Sequence, residues 1–133
     1  MSVAIITGSG GLVGSEAVTH FAALGLDIVG IDNDMRREFF GDGASTEWMR
    51  AELERTVSGY THVTADIRDR SAIDAVFRRY GADIALVIHA AAQPSHEWAV
   101  RDQHTYLGVN GLGTLTVLET THRMPPNAVY IFI

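Results

Sequence analysis

Val3-Ala4-Ile5-Ile6-Thr7-Gly8-Ser9-Gly10-Gly11-Leu12-Val13-Gly14-Ser15 is the stretch whose reading decides the fold. An apolar run too short for a helix meets closely spaced glycines, and Ala17, Val18, Phe21, Ala22 and Leu24 then recur at helical spacing. The order is strand, tight turn, helix. Gly8 lets the chain leave the strand. Gly11 keeps a side chain out from between the backbone and a bound pyrophosphate, and Gly14 lets the helix lie close on the strand. The amides at the helix start, around Leu12 and Val13, and the positive end of the helix dipole hold phosphates without a lysine.

Asp32 ends the next apolar run, Asp27 to Ile31. A carboxylate at that point accepts both ribose hydroxyls of an adenosine and repels a 2′-phosphate, so the pattern predicts NAD rather than NADP. Arg36-Arg37 point the other way, and Asp32 outweighs them. A P-loop is excluded, because no Lys-Ser or Lys-Thr follows the glycines; the ten basic residues are all arginine.

A chain of 133 residues suffices for one domain with a real core, and the whole of it, 1–133, reads as a single dinucleotide-binding domain. Hydrophobic residues make up 47% and charged residues 20%, as in a soluble globular protein, and no apolar run approaches a membrane span. The absence of cysteine removes disulfides, thiolate nucleophiles and zinc–sulfur sites and fits a cytoplasmic location. A net charge of −6 argues against nucleic acid as the main partner. The six histidines lack metal-binding spacing, so no metal site is expected.

Along the chain, Asn33 to Ser45 reads as a loop and Thr46 to Val57 as an amphipathic helix. Tyr60 to Ala65 reads as a strand, followed by Asp66-Ile67-Arg68-Asp69. Ser71-Ala72-Ile73-Asp74 resembles a capping box that opens a helix through Tyr80, ended by Gly81. Ile84 to Ala92 is nearly continuous apolar sequence, as in a strand buried on both faces. After a loop with Pro94, one long helix is expected from about Arg101 to Arg123, with Tyr106, Leu107, Leu112, Leu115 and Leu118 as its core face. Pro125-Pro126-Asn127 connects it to a last strand, Ala128 to Ile133. Strands alternating with helices predict an α/β, doubly wound parallel sheet of order 3-2-1-4-5, with its ligand crevice at the carboxyl ends of strands 1 and 4.

Thr7-Gly8-x-x-Gly11-x-x-Gly14 resembles the fingerprint of the extended short-chain dehydrogenase/reductases, which include the nucleotide-sugar epimerases and dehydratases. Asp32-Asn33 matches the family's ribose-binding position, and Asp66-Ile67 its adenine contact, although Asp66 could instead cap the following turn. His89-Ala90-Ala91-Ala92-Gln93 looks like the loop that runs beneath the cofactor. Asn110-Gly111-Leu112-Gly113-Thr114 matches a helix motif whose asparagine supports the active-site backbone. His89 itself reads as a strand residue satisfied by its neighbours. His96, Glu97 and Trp98 fall on a loop that either meets a sugar or nicotinamide or is simply solvated. Gly30 to Arg36 and Ala91 to His96 look most like the CDP-paratose (tyvelose) 2-epimerase type. The resemblance implies bound NAD, a nucleotide-sugar substrate and a possible homodimer.

The family's chemistry also uses a Ser or Thr after strand 5 and a Tyr-x-x-x-Lys pair, and this sequence contains neither the pair nor any lysine. It therefore reads as the N-terminal, cofactor-holding part of such an enzyme, without the later strands or the substrate lobe and inactive alone. Tyr130-Ile131-Phe132-Ile133 is expected to leave an apolar edge open to self-association. The competing readings are a non-catalytic dinucleotide-binding module, the N-terminal part of a dehydratase, and an unrelated flavodoxin-like domain.

Overall fold

In a computed structural model, residues 1–125 and 127–133 are described; the expected connector at Pro125-Pro126-Asn127 lies partly outside them. Five strands, β1 (Val3–Thr7), β2 (Asp27–Asp32), β3 (Tyr60–Thr64), β4 (Ile84–His89) and β5 (Val129–Phe132), form one sheet of order β3-β2-β1-β4-β5. Every pairing is parallel, and Thr7 lies beside Ile31 on one neighbour and His89 on the other. The predicted fold and strand order are the ones observed.

The centre of the sheet follows from its sequence. All of β1 is buried, and its alternating side chains feed two separate cores. Val3 and Ile5 join Ile73, Phe77, Val87 and Val117 on one face, whereas Ala4 and Ile6 join Val18, Ile28 and Leu53 on the other. Helix α1 (Leu12–Ala23) follows β1 directly.

Four local expectations differ from the structure. The stretch Asn33 to Ser45 is not loop throughout: it contains α2 (Met35–Phe40) and a 3₁₀ turn (Asp42–Ala44) before α3 (Glu47–Thr56). Ser71-Ala72-Ile73-Asp74 is not a capping box. Helix α4 (Arg70–Tyr80) begins one residue before Ser71, because the Asp69 carboxylate accepts the Ala72 N–H at 3.1 Å. Asp74 is instead buried, accepting from Thr120 Oγ1 at 3.0 Å and Arg123 Nη2 at 2.7 Å, which ties α4 to a later helix.

The single helix expected from Arg101 to Arg123 is four pieces: α5 (His96–Arg101), α6 (Gln103–Leu107), a π-turn (Gly108–Gly113) and α7 (Thr114–Arg123). Asp102 breaks the first two apart by capping α6 through the Thr105 N–H at 3.0 Å. The expected core face is also reversed. Tyr106, Leu107, Leu112, Leu115 and Leu118 are exposed, and the buried residues are Val109, Gly113, Val117, Thr120 and Thr121. The physical reason is closeness of approach. A Cβ on Gly113 would fall 2.6 Å from Ile67 Cδ1, so the stripe of smaller residues faces inward and the leucines face out. Val129, Phe132 and Ile133 are exposed too, at the β5 edge. Among the described residues no helix is long and apolar enough to cross a membrane.

His89, fully buried at the end of β4, is satisfied from both sides as expected. Its Nδ1 lies 2.7 Å from Thr7 Oγ1, and its Nε2 lies 2.9 Å from Thr114 Oγ1. Each hydroxyl can either donate to or accept from a ring nitrogen, so a neutral imidazole, one nitrogen bearing the proton and the other accepting, has both nitrogens satisfied. Burial disfavours the charged ring and pushes its pKa down to about 4. The unfolded chain takes up this proton near 6.5, so the folded state loses stability as pH falls from there to about 4. The loss is about 3 kcal/mol, at roughly 1.4 kcal/mol per unit. Urea midpoints measured at pH 7.5 and 4.5 should fall more for the wild type than for His89→Gln; equal falls would contradict this account.

Candidate functional site

The turn after β1 is built by backbone contact. Gly8 sits at φ +69°, its N–H donates to Ile31 O at 2.7 Å, and the Gly11 N–H donates to Gly8 O at 3.0 Å. A Cβ on Gly8 would lie 2.8 Å from the nitrogen of Ala91, so this turn touches the chain after β4 backbone to backbone. A Cβ on Gly14 would strike the Gly8 carbonyl, with the Gly8 carbonyl carbon only 2.7 Å away. A Cβ on Gly11 meets only Gly8 O, at 3.3 Å, and otherwise projects into open space. Gly11 is the N-cap of α1 with no side-chain cap, so the first amides of the helix remain available.

Asp32 stands at the carboxyl end of β2 with both oxygens engaged. Oδ2 accepts the Gly10 N–H at 3.0 Å, while Oδ1 accepts Asp34 N–H at 2.8 Å and Thr46 Oγ1 at 3.3 Å. Asp34, at φ +57°, closes the excursion by accepting the Thr46 N–H and the Ser45 hydroxyl, each at 2.7 Å. Burial pushes the Asp34 carboxyl up, but those hydrogen bonds outweigh it and hold it below the ordinary carboxylate range. Asn33 Nδ2 donates to Asp66 at 3.3 Å, and Asp66 is paired with Arg68 at 2.6 Å. For Asp66 too, burial raises the pKa and the Arg68 hydrogen bonds more than reverse it.

These parts surround a cleft of about 310 Å³ at the carboxyl ends of the strands. Gly8, Gly11, Leu12, Val13, Gly14, Asp32, Asn33, Asp66, Ile67, Ala90, Ala91 and Ala92 all line it. Gln93 and Asn110 do not. They brace the loop instead: the Gln93 N–H donates to Asn110 Oδ1 at 2.8 Å, and Asn110 Nδ2 donates to Gln93 O at 2.9 Å. Sequence reasoning weighed Arg36 only as a pointer to a 2′-phosphate, and it missed Met35, Phe39 and Phe40 from α2, as well as Thr46 and Pro94. The signal was present in Met35 and Phe39, four residues apart as in one turn of an amphipathic helix. His96, Glu97 and Trp98, expected on a loop, open α5, and Ser95 Oγ caps it by accepting the Trp98 N–H at 3.2 Å.

Sheet order and cleft position together are those of a Rossmann-type α/β fold. The chain belongs to the NAD dependent epimerase/dehydratase family, whose model matches residues 4–133. It is 31% identical to human UDP-glucose 4-epimerase over 115 residues, covering 86% of this chain and 32% of that one. It is 27% identical over 119 residues to a probable dTDP-glucose 4,6-dehydratase of Sinorhizobium fredii, covering 90% and 31%. The crystal structure of UDP-glucose 4-epimerase from Thermus thermophilus in complex with NAD superposes with a TM-score of 0.69 at 28% identity, over 92% of this chain and 34% of that one. The chain thus spans about a third of the length of these relatives.

The contrast between two glycines gives a direct check. Gly14→Ala forces backbone apart and should destabilise by roughly 1–3 kcal/mol. Gly11→Ala, with one contact at 3.3 Å, should change stability by less than about 1 kcal/mol. Urea unfolding of both variants decides it, and equal losses would contradict the assignment of the tight contact.

Proposed function

We propose that this chain binds NAD in the cleft and supplies the cofactor-holding part of a nucleotide-sugar epimerase. The observation that carries the reading is the glycine turn set beside Asp32. The backbone is bare and open at Gly11, amides are available at the start of α1, and a carboxylate is held in place by the Gly10 N–H. A pyrophosphate suits the first two features, and a ribose with free hydroxyls suits the third. The residues present therefore fit the dinucleotide.

When bound, NAD supplies a hydride acceptor that can later return the hydride to a sugar carbon. The residues of the chain bind and orient it. Gly8, Gly11, Leu12, Val13 and Gly14 hold the phosphates, and Asp32 takes the adenosine ribose. Asn33, Asp66 and Ile67 border the adenine end. Ala90, Ala91 and Ala92 form a small-residue wall, kept in place by the Gln93–Asn110 bonds behind it. A Tyr-x-x-x-Lys pair for proton transfer has no counterpart in a sequence without lysine, so holding the cofactor is this chain's share of the reaction. The relatives named above support a nucleotide-sugar substrate for the whole enzyme.

Titration calorimetry with NAD and NADP tests the reading. The chain should bind NAD more tightly, because a 2′-phosphate beside Asp32 meets like charge. Asp32→Ala should weaken NAD and narrow the gap roughly tenfold. Tighter binding of NADP by the unaltered chain would overturn the cofactor assignment.

A further inference from the structure

Helix α2 has six residues and none is buried, and the same holds for α5. Helices this short have no stability of their own, so their placement depends on what ties them down. Asp34 anchors the start of α2 through Ser45 and Thr46. The other end is held by Trp98 of α5. The indole Nε1–H donates to Phe39 O at 2.9 Å, and the Phe39 and Trp98 rings are 5.3 Å apart. Arg101 lies over the Trp98 ring, 5.9 Å from its centre, and is itself paired with Glu97.

The topology gives this contact its meaning. Helix α2 follows β2 and α5 follows β4, while β1 lies between those two strands in the sheet. Parallel strands are roughly 4.8 Å apart. The Phe39–Trp98 contact therefore joins two banks about 10 Å apart, on either side of the β1 end where the glycine turn begins. Phe39 lines the cleft from one bank and Pro94 from the other, whereas Trp98 lies outside the lining and acts only through Phe39.

We infer that Trp98 is a positioning residue that holds α2 across the cleft and sets how fast a dinucleotide enters and leaves. The inference rests on the proposed NAD site. A strap of this kind slows passage in both directions. Its loss speeds association and dissociation together, whereas loss of a mere ligand contact speeds dissociation alone.

Stopped-flow NADH fluorescence measures both rates, association on mixing and dissociation on displacement by excess NAD. Trp98→Phe keeps a ring but loses the hydrogen bond to Phe39 O, and both rates should rise about fivefold. Trp98→Ala loses the ring pair as well, and both should rise tenfold or more. Circular dichroism establishes that each variant is folded; if Trp98→Ala is not, the milder Trp98→Phe decides. Unchanged rates, or faster dissociation with unchanged association, would overturn the strap while leaving the NAD site standing. Failure of the unaltered chain to bind NADH or NAD would instead overturn the site itself and the strap with it.

Discussion

The structure depends on one close approach of backbone to backbone. The turn after β1 is pressed against the chain after β4, with Gly8 against Ala91, while α1 packs directly on that turn at Gly14. No side chain fits in either place. The consequence is that the start of α1 and the loop of three alanines end up lining one cleft. Most of the remaining architecture serves to keep those segments where this contact puts them.

Three braces do so, each built from hydrogen bonds between polar groups. Thr7, His89 and Thr114 form a hydrogen-bonded line from β1 through β4 to α7. Asn110 holds Gln93 by both amide atoms, fixing the end of the alanine loop to the π-turn. Asp32 fastens the Gly10 amide to the β2 end, and Thr46 returns to the same carboxylate from the far end of the excursion. Buried polar groups arranged in this way favour one geometry over near alternatives, because each unmade bond would leave a desolvated donor or acceptor.

The cleft is asymmetric in how it is held. The wall of strand ends and glycines belongs to the core, with β1 wholly buried. The outer wall, α2, is a short exposed helix held by side-chain ties at its two ends. Local stability is expected to be lowest where buried apolar contacts are fewest. Movement around a bound molecule would therefore concentrate in α2 rather than in the glycine turn.

The sequence by itself determined the order of the strands, the parallel sheet, the glycine turn and the acid at the end of β2. Those features are written in local patterns: a strand-length apolar run, glycine spacing, and one charge that ends an apolar stretch. It also marked most of the cleft-lining residues, because strand ends are legible and the fold puts them together. Tertiary structure decided the rest. Helical spacing pointed to the leucine stripe before Arg123 as the core face, and the structure turned the smaller residues inward instead because Gly113 must pass close to Ile67. The Asp74 pairing, 46 and 49 residues distant in sequence, carries no local signature. Neither does the meeting of Phe39 with Trp98, which exists only because β1 separates the two strands that carry them.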